Sequence, residues 1–172
     1  MLEVSGGKDG GLPSAGVIFD KAGNLYGTTI YGGSGGANCD TVTCGVVFEL
    51  SPNGKSWTEK VLHSFTGKKD GGYPALANLV LHNGALYSVT FEGGEPADCP
   101  NQLSGCGVVF KLKPPATQGG KWTEKVLYTF TNGTDGALPT GTLIFDTKGN
   151  LYGTSEISNT YQGFGTVFEI TP

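Results

Sequence analysis

The feature that most constrains this chain is that it repeats itself. Asp9-Gly10, Asp70-Gly71 and Asp135-Gly136 each open a copy, so the copies start 61 and 65 residues apart. In every copy a proline (Pro13, Pro74, Pro139) stands 13 residues before a tyrosine (Tyr26, Tyr87, Tyr152), and no gap is needed to align them. The three copies continue through Gly45-Val46-Val47-Phe48-Glu49-Leu50, Gly107-Val108-Val109-Phe110-Lys111-Leu112 and Gly165-Thr166-Val167-Phe168-Glu169-Ile170. Two of them add Trp57-Thr58-Glu59-Lys60-Val61-Leu62 and Trp122-Thr123-Glu124-Lys125-Val126-Leu127. Self-similarity of this density marks a repeat architecture in which each copy is one supersecondary unit.

The unit reads as four strands. Strand A is the apolar run Gly16 to Asp20, suited to burial on both faces. Lys21-Ala22-Gly23-Asn24 supplies residues that accept positive φ, so A and B form a hairpin. Strand B runs from Leu25 to Tyr31 and strand C from Val46 to Leu50; Ser51-Pro52-Asn53-Gly54 turns into strand D, Trp57 to Phe65. No segment carries a helical period, so the expected class is all-β. A four-stranded sheet with an apolar inner strand cannot bury both faces alone. Stacking face to face around an axis solves this, and a β-propeller with three four-stranded blades per chain follows. The blades fall at residues 1–65, 66–130 and 131–172. The third stops after its strand C, and Met1-Leu2-Glu3-Val4 aligns with the end of a strand D, Leu62-His63-Ser64-Phe65. Three blades cannot easily close on themselves. The expectation is therefore a homodimer of six blades, in which residues 1–4 of each chain complete blade 3 of the other.

Composition removes several function classes. The 172 residues include 30 glycines, yet 37% are hydrophobic, which fits short strands and tight turns rather than disorder. The net charge is −4 and every basic residue is a lysine, so neither a phosphate backbone nor a guanine edge finds its usual partner. No apolar run approaches the roughly 20 residues that span a bilayer. The first residues lack the basic and apolar regions of a signal peptide, which implies processing or a longer gene product. The cysteines fall into two close pairs, Cys39 with Cys44 and Cys99 with Cys106, without C-x-x-C spacing or a nearby histidine. Two local disulfides and an oxidising compartment are the expectation. Because the closed loops are short, each bond should pin a loop more than it stabilises the fold.

The pattern Asp-Gly, Pro, Leu-Tyr-Gly-Thr, Gly-Gly and Gly-Val-Val-Phe-Glu-Leu-Ser-Pro resembles the bacterial GloVer tandem repeat over nearly the whole chain. In the third copy Ser158-Asn159 replaces Gly-Gly and the cysteines are missing. The resemblance implies a secreted or surface repeat protein, extracellular or periplasmic. Pro13 to Tyr26 is more loosely similar to NHL-type and gluconolactonase/paraoxonase-type propellers. That likeness implies an A strand lining the axis and, in some members, axial Ca²⁺ with lactone hydrolysis.

Candidate functional residues are of two kinds. Asp9, Asp70 and Asp135 recur, either as Asx-type turns or as a ring of carboxylates for a hard cation such as Ca²⁺. Trp57 and Trp122 recur as packing between blades or as a platform for a sugar. The other candidates lie where copies disagree. Asn78 replaces Val17 and Leu143, and would either coordinate an axial cation or bond to a neighbouring blade. Glu92 replaces Tyr31 and Ile157, and Glu156 replaces Ile30 and Phe91, near the end of strand B. Gly32-Gly33-Ser34-Gly35-Gly36 matches G-x-S-x-G but sits in a glycine-rich β loop rather than a strand–turn–helix elbow. His63 and His82 have no evident route to Ser34, so a Ser-His-Asp triad is not expected. The expected function is a module that binds a small-molecule or surface ligand, with no nucleic acid and no membrane span. The alternative is a Ca²⁺-dependent hydrolase of lactones or related esters.

Overall fold

The computed structural model describes residues 4–35, 43–94, 99, 104–117, 119–158 and 163–172. Among these residues twelve strands form three four-stranded antiparallel sheets, an all-β arrangement consistent with propeller blades. Sheet 1 contains β1 (Ile18–Phe19), β2 (Leu25–Thr29), β3 (Val46–Asn53) and β4 (Ser56–Ser64), paired in that order. Sheet 2 contains β5 (Val80–His82), β6 (Ala85–Thr90), β7 (Val108–Lys113) and β8 (Thr123–Thr129), again in order. In sheet 3, β10 (Ile144–Phe145), β11 (Leu151–Ile157) and β12 (Thr166–Ile170) follow one another, and β9 (Ala137–Pro139) also pairs with β11. The counterparts of β9 in the other two sheets are single bridges, Gly11 to Tyr31 and Gly72 to Glu92. Among the described residues no strand lies outside β12.

The innermost strand is shorter than the apolar run Gly16–Asp20 suggests, because its ends are used otherwise. Asp20 turns the chain: its Oδ1 accepts from the amides of Ala22 and Asn24 at 2.8 and 2.9 Å, and its Oδ2 from the Asn24 side chain at 2.8 Å. Asp146 makes the same bonds with Lys148 and Asn150. The shared Asp-x-x-Gly-Asn-Leu-Tyr signature is thus a turn device. At the other end of the blade, β3 continues through Ser51 and Pro52 to Asn53, and the turn is Gly54-Lys55, with Gly54 at φ 63°.

Gap-free alignment of the copies conceals a compensated shift. Ile18 pairs with Tyr26 and Ile144 with Tyr152, whereas Val80 pairs with Tyr87. The hairpin of sheet 2 is one residue shorter, a two-residue Asn83-Gly84 turn with both residues at positive φ. The short helix Pro74–Leu76 absorbs the extra residue upstream. In structural register Asn78 therefore matches Gly16 and Thr142, not Val17 and Leu143.

Two apolar layers hold the sheets together. Between sheets 1 and 2 lie Val47, Phe65, Leu79 and Phe110; between sheets 2 and 3 lie Val89, Val109, Phe130 and Leu143, all buried. Each such side chain contributes about 1.5–3 kcal/mol of burial. Backbone bonds cross the same junctions. The Tyr73 amide donates to the Cys44 carbonyl and the Leu138 amide to the Cys106 carbonyl, both at 2.9 Å. Leu12, Tyr73 and Leu138 adopt φ of 55°, 57° and 55°, a left-handed conformation that L-residues rarely take. Leu12 keeps it while exposed and without a blade against it, so the repeat unit itself sets the conformation.

The Cys99–Cys106 disulfide is present. Both cysteines belong to the core layer between sheets 2 and 3, so this bond is not confined to a polar loop. The expected Cys39–Cys44 bond involves Cys39, which lies outside the described residues, as do residues 1–3 of the expected exchanged strand.

Candidate functional site at the junction of sheets 1 and 2

In sheets 1 and 2 the outer strands β4 and β8 carry an extra residue, opposite the Val47–Phe48 step of β3 and the Val109–Phe110 step of β7. An extra residue reverses the side-chain alternation beyond it. Leu127 and Tyr128, although adjacent, accordingly both face sheet 3: Leu127 packs into that layer and Tyr128 bonds Asp135, while Val126 packs toward sheet 1. One strand thus serves two junctions: its first half sends a glutamate backward, and its second half sends a histidine or tyrosine forward.

At the junction of sheets 1 and 2 these contributions meet at Asp70. Its carboxylate accepts from the Thr66 amide at 3.0 Å, from the Thr66 hydroxyl, and contacts His63 Nε2 at 3.3 Å. Burial alone would raise the pKa of Asp70, but the bonds from His63 and Thr66 outweigh it and hold the carboxyl below the usual range. Glu124 approaches from sheet 2. Burial pushes its carboxyl up to about 7, with His63 opposing and Asp70 reinforcing the shift. Its Oε1 is buried and has no hydrogen-bond partner among the described residues. Glu59 is the counterpart of Glu124 in sheet 1, and burial followed by Asp9 raises it too.

The same frame recurs with other side chains. Asp9 accepts from the Ser5 amide and hydroxyl at 2.7 Å, and Asp135 from the Thr131 amide and hydroxyl at 2.8 and 2.7 Å. Tyr128 takes the place of His63 and donates to Asp135 at 3.0 Å. The three aspartates therefore fasten the segment that crosses between blades. Among the described residues no three His, Cys, Asp or Glu side chains converge as ion ligands.

The remaining candidates are dispersed. Asn78 Oδ1 accepts from the Gly16 amide at 2.7 Å, and the Asn78 amide donates to Thr142 Oγ1 at 3.3 Å. One repeat position thereby links all three blades, and of the two readings of Asn78 the described residues show the bond between blades. Glu92 exchanges backbone bonds with Gly72, and Glu156 is exposed on β11. His82 stacks on Phe145 with centroids 4.0 Å apart. Ser34 approaches Ser64, not a histidine: its amide and hydroxyl lie 3.2 and 3.4 Å from Ser64 Oγ.

A groove of about 530 Å³ opens beside His63. Ser34, Lys60, His63 and Ser64 come from sheet 1 and its loop; Lys121 and Trp122 come from the entry to β8. Trp122 also meets Tyr26 edge to face at 6.0 Å, so it is both a contact between blades and a wall of the groove. The distinguishing residues could not be singled out from the repeat alone. His63 and Lys121 are adjacent only after the blades stack.

Tandem four-stranded antiparallel sheets stacked face to face, with a groove at one junction, define a β-repeat protein. The chain belongs to the Gloeobacter/Verrucomicrobia repeat family, whose model matches residues 1–172. No curated protein and no solved structure matches it.

Proposed function

We propose that this protein is a repeat module of an oxidising compartment, extracellular or periplasmic, that binds an acidic saccharide in the groove between blades 1 and 2. The groove carries the reading: Lys60, Lys121, His63 and Trp122 converge there, and blade geometry alone does not require that set. Two ammonium groups offer point charges to a carboxylate or sulfate. The indole offers an apolar plate to a sugar ring, and Ser34 and Ser64 offer hydroxyls. The Cys99–Cys106 bond supports the compartment.

Calorimetric titration of the intact protein with uronic-acid and neutral oligosaccharides tests this. The acidic ligands bind, and their affinity falls as salt rises. Replacing Lys60 and Lys121 together by serine weakens binding by at least about tenfold, or 1.4 kcal/mol. Equal binding by that variant, or no binding of any acidic saccharide, overturns the proposal.

A further inference from the structure

The two ends of the blade stack expose the halves of a junction that is closed twice inside the chain. On the leading face of blade 1, Leu12 is 59% and Val17 52% exposed. Their structural counterparts Tyr73 and Leu79, then Leu138 and Leu143, are buried against the preceding blade. On the trailing face of blade 3, Val167 is 80% exposed, whereas its counterparts Val47 and Val109 are fully buried. Phe164 stands where Cys44 and Cys106 stand, and it is wholly exposed while they are buried. Ile144 is exposed on the same side, where Ile18 and Val80 pack against the following blade.

We infer that these two faces dock onto each other between two copies of the chain, blade 3 of each against blade 1 of the other. The occupant is specified by the internal junctions, which already show what each face accepts. By their rule the Leu12 amide donates to the Phe164 carbonyl of the second copy, as Tyr73 does to Cys44 and Leu138 to Cys106. Val4 occupies the repeat position of Phe65 and Phe130, whose amides donate to Gly45 and Gly107. It would then donate to Gly165 of the second copy and bring its segment alongside β12. The residues named on both faces are apolar, with the exposed Glu156 on the neighbouring strand β11, at the position where Ile30 packs into the first junction. Reciprocal docking of two different faces closes with two-fold symmetry and six blades, and it covers the outer edge of β12.

Light scattering of the intact chain at micromolar concentration should give about twice the 17.8 kDa chain mass. Val17→Asp and Val167→Asp each alter one exposed face, and each should be monomeric while keeping the parent circular dichroism. Mixing the two variants should restore dimers, because the intact blade 1 face of one meets the intact blade 3 face of the other. Hydrogen exchange gives an independent reading on the parent: the Leu12 amide should be protected in the dimer and lose protection on dilution. A monomeric parent, a dimer indifferent to both substitutions, or one broken by Val17→Asp alone overturns the inference. The last result would mean that like faces meet.

Discussion

The junction between blades 1 and 2 and that between blades 2 and 3 share a backbone and differ in chemistry. Each has a left-handed residue before proline, an amide bonded to a carbonyl of the preceding blade, and an aspartate fastened to a threonine four residues earlier. The first junction adds His63, Glu124 and the contact of Trp122 with Tyr26. The second replaces these with Tyr128, a disulfide and His82 stacked on Phe145. Main-chain hydrogen bonds and a buried apolar layer are common to both junctions, so the polar and aromatic side chains around them are free to diverge.

If the backbone is the common element, damage to it should be equal at both junctions and larger than any other change. A Cβ on Gly45 would lie 2.3 Å from the Thr29 carbonyl and 2.8 Å from Pro74; one on Gly107 would lie 2.4 Å from the Thr90 carbonyl and 2.6 Å from Pro139. Both glycines have positive φ. Gly45→Ala and Gly107→Ala should each cost about 3–5 kcal/mol, the strained conformation plus overpacking. Gly149→Ala has the same positive φ but open space around it, and should cost only about 1–2 kcal/mol. Chemical denaturation measures all three; unequal losses at Gly45 and Gly107 would show that the two junctions do not rest on the same backbone requirement.

Reduction should separate the junctions. The Cys99–Cys106 bond closes a short loop whose ends lie in the core layer between blades 2 and 3. Chain entropy assigns such a loop about 2–3 kcal/mol, a fall in Tm on the order of 5–10 °C for a chain of this size. Amide exchange should quicken around Leu138 more than around Tyr73. Reduction that loosened both alike would show that the blades do not respond separately.

The smallest expected effect is a titration at the first junction. Glu124 holds its proton in the folded state up to about 7, above the ordinary 4.5. The folded chain therefore binds more protons than the unfolded one across that window. This group's contribution is complete below the ordinary carboxyl range and declines as pH rises through about 7. Asp70, held low, works in the opposite sense, losing its contribution only as pH falls through its lowered value. Glu124→Gln should flatten the decline between about pH 5 and pH 8 and raise Tm at the upper end by roughly 2–4 °C, the response to about 1 kcal/mol. An unchanged pH profile would mean that Glu124 does not titrate with folding in this range.

The repeat made the fold legible. Period, proline-to-tyrosine spacing and valine-rich runs located three four-stranded units, and the sheets keep β2, β3 and β4 close to their expected spans. Asp9, Asp70 and Asp135 were legible as residues but not in role, since hydrogen-bond partners four positions away decide whether a carboxylate is a fastener or a ligand. Asn78 was misaligned because an upstream helix and a shorter hairpin compensate within one copy, and only strand pairing reveals such a shift.

By itself the amino-acid order determined the unit and its number, because hydrophobic alternation and turn residues act over a few neighbours and recur in each copy. Tertiary structure alone decided which copies of one residue are buried. Val47, Val109 and Val167 share a local sequence role, and their different burial depends on whether another blade lies against them. It also decided the candidate site, since His63, Lys121 and Trp122 are brought to one groove by stacking and the reversal of alternation at the bulge. Contacts between sheets depend on faces and neighbours far apart in the chain, and no local pattern encodes them.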